Sequence, residues 1–248
     1  MMCMLSIVCQ DERVPILSQA IFRYLTSHGE SLELRRSTEI KSIDLSGLDI
    51  ADIALEPLAG FQKLEELDLS RNDISEIDLG PLADSPRLQT LNLSGNELEY
   101  VCLEPICRSK RIQAIDLSRN EIVQVDMKPF PEFSSLRMFY ISENELTSFD
   151  LRPFQKCSEL EYLVLSGNDL VHIQLAPLSK CESLKYVFLH ENAFDTLDVS
   201  ALLHLENLEK VTVDKETRLT ANPRLKRLSY VSPGMTEHLG RVEWSSES

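Results

Sequence analysis

Basic side chains are scarce in this chain: 25 Lys and Arg stand against 40 Asp and Glu, for a formal charge of −15. Such a surface repels nucleic-acid phosphate and anionic lipid, so neither is an expected partner. Aromatics are also few, at 6% of 248 residues, and a core has to be built mainly from aliphatic side chains. No apolar run is long enough to span a bilayer. The first nine residues are apolar, but no Lys or Arg precedes them and Asp11, Glu12 and Arg13 follow at once. No secretory signal is read there, and the expectation is a cytoplasmic protein with free thiols. The sequon Asn92-Leu93-Ser94 is then idle.

Catalytic and metal-binding patterns are missing too. The six cysteines (Cys3, Cys9, Cys102, Cys107, Cys157 and Cys181) form no CxxC pair and no Cys/His set with zinc spacing. There is no GxxxxGK[ST], HExxH, GxSxG or GxGxxG. The five histidines (His28, His172, His190, His204 and His238) are scattered. The expectation is a non-catalytic chain with no metal and no cofactor.

What the sequence does have is a repeat. Ile or Leu recurs at Ile40, Leu64, Leu88, Ile112, Leu136, Leu160, Leu184 and Leu208, every 24 residues without insertion or deletion. Numbering slots from each start, apolar residues fall in slots four, six and eleven and Asn in slot nine. Leu64, Leu67, Leu69, Asn72 and Ile74 form one copy; Leu160, Leu163, Leu165, Asn168 and Leu170 form another. This LxxLxLxxNxL pattern resembles the leucine-rich repeats, over residues 40–213. The IDLxPL second half, as in Ile77-Asp78-Leu79-Gly80-Pro81-Leu82, is similar to the short-repeat class of internalins and of the regulatory subunit of protein phosphatase 1. Those families usually run 22 residues per copy, so the 24-residue period departs from them. The resemblance implies protein ligands but selects none.

Alternation of apolar slots four and six with polar slots three, five and seven predicts a strand with one buried and one open face. Stacked copies then give an α/β leucine-rich-repeat solenoid: a curved, parallel concave sheet, with short strands and 3₁₀ turns on the return side. No single copy can bury its apolar face, whereas a stack makes one core. The resemblance implies that the slot-nine asparagines bond backbone between coils. Proline in slot eighteen suits the first position of a short helix or 3₁₀ turn. Slot twenty-two, with Phe61, Phe133, Cys157, Cys181 and Leu205, is expected to be buried, its cysteines packing as small hydrophobes rather than a disulfide.

Residues 1–39 are expected to cap the N-terminal end. Ile16, Leu17, Ala20, Ile21, Tyr24 and Leu25 recur at helical spacing, which predicts an amphipathic helix over about 14–27. The same string, Val14-Pro15-Ile16-Leu17 and Ile21-Phe22-Arg23-Tyr24-Leu25, resembles the start of an F-box, which implies an alternative function as a ubiquitin-ligase adaptor. Residues 214–248 are expected to close the other end and finish in a loose tail.

The open face divides in two. In the first four copies slot five is Asp44, Asp68, Asn92 and Asp116, with Glu66 in slot three nearby. In the next three it is Tyr140, Val164 and Phe188, with Met138, Tyr162 and Tyr186 in slot three and His190 in slot seven. Met138, Tyr140, Tyr162, Val164, Tyr186, Phe188 and His190 are therefore the expected partner-binding patch. Asp44, Glu66, Asp68 and Asp116 form a secondary acidic face suited to a basic segment of the partner. The competing accounts are cover by the chain's own tail and stabilisation of the sheet by stacking. The expected partner is another protein, neither nucleic acid nor membrane, and the expected state is a monomer.

Overall fold

The computed structural model describes residues 19–106, 110–127, 134–227 and 229–245. Each repeat folds as one coil. Slots three to five form a three-residue strand, with slots four and six pointing inward at essentially zero exposure, from Ile43 and Leu45 to Val187 and Leu189. The strands in chain order are β1 (Gln19–Thr26), β2 (Ser31–Ser37), β3 (Ser42–Asp44), β4 (Ile50–Ile53), β5 (Glu66–Asp68), β6 (Thr90–Asn92), β7 (Tyr100–Cys102) and β8 (Ala114–Asp116). There follow β9 (Gln124–Asp126), β10 (Met138–Tyr140), β11 (Tyr162–Val164), β12 (Tyr186–Phe188), β13 (Thr196–Asp198), β14 (Lys210–Thr212), β15 (Arg218–Ala221) and β16 (Val242–Trp244). The concave sheet has eight parallel strands in the order β14-β12-β11-β10-β8-β6-β5-β3. Its register is strict: Tyr140 lies opposite Asp116 on one side and Val164 on the other.

The asparagine ladder bonds coil to coil. Asn120 Nδ2 donates to Leu93 O of the previous coil and to Leu117 O of its own, both at 3.0 Å. Its Oδ1 accepts the Leu98 N–H at 3.2 Å. Asn72, Asn96, Asn144, Asn168 and Asn192 repeat the pattern. Each therefore satisfies backbone groups that burial would otherwise leave unpaired. The turn also needs a left-handed residue in slot eight, where Gly47, Gly95 and Gly167 fit, but Arg71, Arg119, Glu143 and Glu191 adopt the same positive φ.

On the return side the alternation yields short strands, with β7 paired to β9 and β13 to β15. Pro57, Pro81, Pro153 and Pro177 sit in the first turn of 3₁₀ helices. Pro129 and Phe133 lie outside the described residues. Cys157 and Cys181 are free and fully buried, donating to Pro153 O and Phe154 O. Burial pushes both thiols up to about 12.

Both ends correct the sequence reading. The helix expected over 14–27 is a strand from Gln19 onward: β1 pairs antiparallel with β2 and with β4 of the first coil. Residues 14–18 lie outside the described residues. Ala20, Phe22 and Thr26 are buried while Gln19, Arg23 and Leu25 are exposed, a period of two. The sequence fits both periods over so short a stretch. The coil's open edge at Ile50–Ile53 and the adjoining Leu32 and Leu34 decide for strand, a tertiary override of local pattern. Phe22 packs on Phe61, ring centres 5.9 Å apart. Gly29, at φ 79°, turns the hairpin.

The expected loose tail is instead ordered over Pro233–Trp244, as a 3₁₀ helix (Pro233–Arg241) followed by β16. It replaces the missing ninth coil. Gly234 N–H donates to Leu208 O, a His238 Nε2 contact reaches Val211 O at 3.0 Å, and Arg241 donates to the carbonyls of Asp214, Lys215 and Thr217. A Cβ on Gly234 would lie 2.7 Å from Lys210 N, so only glycine allows this approach. Leu219 pairs with Val242, and Trp244 packs against the core. Arg218 breaks the slot pattern because the return strand slips by two: Leu197 lies opposite Leu219, an interval of 22 residues.

Candidate functional site

The two halves of the concave face are built differently. In the first four coils the slot-five side chain closes the turn after its strand. Asp44, Asp68, Asn92 and Asp116 each accept, through Oδ1, the N–H two residues on: Ser46 at 3.0 Å, Ser70 at 2.8 Å, Ser94 at 3.1 Å and Ser118 at 2.9 Å. These are Asx turns. Asn92 also donates to Asp68 Oδ2 at 3.0 Å. The Ser46 N–H and then its hydroxyl hold the Asp44 carboxyl below the usual carboxylate range. The acidic column thus has a local structural job; Glu66 stands exposed beside it.

Tyr140, Val164 and Phe188 have no acceptor to offer that turn. They join Met138, Tyr162, Tyr186 and His190, all half-buried, on the open face of β10, β11 and β12 and the turn that follows. The structure brings the seven expected patch residues together. Tyr162 stacks on Tyr186 with centroids 4.7 Å apart, Tyr140 lies 6.4 Å from Tyr162, and Phe188 lies 6.3 Å from Tyr186, nearly parallel. His190 meets Phe188 edge-on at 6.4 Å, and its Nδ1 lies 2.7 Å from Thr212 Oγ1. Burial, then Tyr162 and Asp116, pushes the Tyr140 phenol up.

Three residues of the eighth coil complete the patch and were missed by reading only seven. The Tyr186 hydroxyl donates to Glu209, which raises its pKa, Lys210 Nζ stands 6.0 Å above the Phe188 ring, and Thr212 contacts His190. Their slots, two, three and five, were the available signal. Along the slot-two rim Glu161 lies between Arg137 and Lys185. The Lys185 ammonium and then Arg137 hold the Glu161 carboxyl below its ordinary value.

Among the described residues the tail seals the end of the stack through β14 and β15, and its hydrogen bonds and pairings go to residues 202–221. The patch residues keep their partial exposure. A cleft of about 1040 Å³ lies elsewhere, between the N-terminal hairpin and the return side, lined by Tyr24, Asp52, Glu76, Glu99 and Tyr100 among others. Among the described residues no three His, Cys, Asp or Glu are grouped to hold a metal, and no helix is long and apolar enough to cross a membrane.

Comparison with known proteins agrees with this architecture. The leucine-rich-repeat family model matches residues 38–98 and 110–170. No individually curated protein matches the chain. Internalin C2 from Listeria monocytogenes is similar at 25% identity and a TM-score of 0.50, over 71% of this chain and 81% of that one. The Leptospira interrogans leucine-rich-repeat protein LIC12759 is similar at 22% identity and a TM-score of 0.59, over 78% and 45%. The ectodomain of the plant receptor kinase GASSHO1/SCHENGEN3 from Arabidopsis thaliana, in complex with Casparian strip integrity factor 2, gives 22% identity and a TM-score of 0.64, over 84% and 24%. Proteins of this class generally act in protein–protein interaction, and their fold is typically non-catalytic. With its registered coils, asparagine ladder and parallel concave sheet, this chain belongs to the leucine-rich-repeat proteins.

Proposed function

We propose that the chain is a non-catalytic binding module that holds a partner protein on its concave sheet. Tyr140, Tyr162, Tyr186 and Phe188 form the anchor, with Met138, Val164 and His190 around it. One observation carries this reading: coils five to seven give up the turn-closing Asp or Asn for Tyr140, Val164 and Phe188, which join the stacked Tyr162 and Tyr186 in one half-buried patch. A sheet needing only stability would keep the turn-closing residue, whose bond contributes about 1 kcal/mol. Rigid aromatics at the centre of a face are the residues that dominate binding energy. The partner that fits brings apolar side chains to the patch and a basic segment toward Asp44, Glu66, Asp68 and Asp116. The same reading has the module acting in the cytosol, where free Cys157 and Cys181 stay reduced; cell fractionation tests that location.

The test is affinity purification with wild-type chain and a Tyr162→Ala/Phe188→Ala control, followed by titration of the recovered partner in purified form. The expected loss is about thirtyfold in affinity or more, since two anchors contribute at least about 2 kcal/mol together. Unchanged affinity with unchanged folding removes the proposal. The ubiquitin-ligase adaptor alternative loses its structural basis over residues 19–26, where the F-box-like string is strand.

A further inference from the structure

Among the described residues the N-terminal hairpin leaves one strand edge open. In the sheet order β2-β1-β4, β2 is outermost. The phase of its hydrogen bonds follows from two contacts. Thr26 N–H donates to Glu30 O at 2.9 Å, and Ala54 N–H donates to Arg23 O at 3.3 Å, so Arg23 faces β4. In an antiparallel pair, bonded and non-bonded residues alternate. Tyr24–Leu32, Phe22–Leu34 and Ala20–Arg36 are therefore the bonded pairs inside the hairpin, while Glu33 and Arg35 aim N–H and C=O outward. The Arg36 guanidinium, which reaches the Arg35 carbonyl at 3.0 Å, agrees with that direction.

Soluble proteins block such edges with charged side chains, proline or a bulge. β2 carries no proline and no bulge, and its charges, on Glu33, Arg35 and Arg36, are of both signs. Its outward-bonding residues have opposite charges and flank Leu34 symmetrically. We propose that two copies of this chain pair antiparallel through β2, about a two-fold axis at Leu34, in place of the monomer expected from the repeat pattern. In this register Glu33 of one copy lies opposite Arg35 of the other, twice. The two residues exchange four backbone hydrogen bonds and place their charges side by side on one face. Leu34 lies opposite its own copy, and the two three-stranded caps become one six-stranded sheet. A two-fold contact must be self-complementary, and Glu33-Leu34-Arg35 satisfies that condition.

Sedimentation equilibrium of the full chain over a wide concentration range is the test. Wild type is expected to show a concentration-dependent dimer. Glu33→Arg or Arg35→Glu alone turns two attractive cross-strand pairs repulsive, raising the dissociation constant about tenfold or more. The double variant Glu33→Arg/Arg35→Glu restores attraction and returns the constant to within about threefold of wild type. Arg35→Glu keeps the Arg23–Glu33 bridge, so it separates dimer loss from hairpin damage, with circular dichroism as the folding control. Amide exchange at Glu33 and Arg35 is expected to slow as concentration rises. A chain that stays monomeric, or a dimer indifferent to both single reversals, overturns the proposal. A dimer abolished by Tyr162→Ala/Phe188→Ala instead also overturns it.

Discussion

The N-terminal and C-terminal halves of the concave sheet share one backbone and differ in what slot five does. Asp44, Asp68, Asn92 and Asp116 look back at their own chain and close its turns. Tyr140, Val164 and Phe188 look outward. The register is unchanged across the boundary, since Tyr140 pairs with Asp116 as Asp68 does with Asp44. A repeat scaffold can therefore exchange local stability for recognition one residue at a time, because backbone position is already held elsewhere.

The asparagine ladder does that holding, and the largest predicted effects are there. Asn120→Ala, in the polar half, and Asn168→Ala, in the aromatic half, each leave a buried N–H (Leu98 or Leu146) without its acceptor and take one of two asparagine donors from each of two carbonyls. Each is expected to cost about 2 kcal/mol in urea unfolding, by similar amounts. A large difference between them would mean that the halves do not share their support.

Slot five sets the next test. Asp116→Ala is expected to lose about 1 kcal/mol by freeing the Ser118 N–H. Val164→Asn, which installs the acceptor that Asn92 supplies in the third coil, should leave stability unchanged or higher by up to about 1 kcal/mol while weakening partner binding. A marked destabilisation by Val164→Asn would show that the apolar column is structural.

The smallest effect concerns the rim of the aromatic half. Glu161 has a folded pKa held below its unfolded value by Lys185 and Arg137. Its stabilisation is present above the unfolded pKa and is lost as pH falls through the folded one. The Glu161 side chain is only 14% exposed, but both cations beside it reach solvent, so Glu161→Gln should cost no more than about 1 kcal/mol near neutral pH. The gap to wild type should close in acid, as urea midpoints measured across the range will show.

Much of this was legible in the sequence. A strict 24-residue spacing leaves one way to stack coils, so the sheet, its register, the buried slots and the clustering of seven patch residues followed from counting, while Glu209, Lys210 and Thr212 of the eighth coil were passed over. The ends did not. Ile21, Phe22, Tyr24 and Leu25 suit helix and strand alike, and only the open edge at Ile50–Ile53 selects the strand. The C-terminal seal was hidden for a similar reason. Gly234, His238 and Arg241 act through contacts with the carbonyls of Leu208, Val211 and Asp214, and no side-chain periodicity records such contacts. The turn-closing role of the acidic column was concealed in the two-residue spacing from Asp or Asn to Ser.

The seal at Gly234, His238 and Arg241 binds backbone carbonyls of the eighth coil alone, so coils further up the stack carry none of its bonds. Deleting residues 88–111 would join Arg87 to Ile112 with every slot still aligned, bringing the aromatic coils one step nearer the N-terminal hairpin. The length of the molecule is thus adjustable in whole coils.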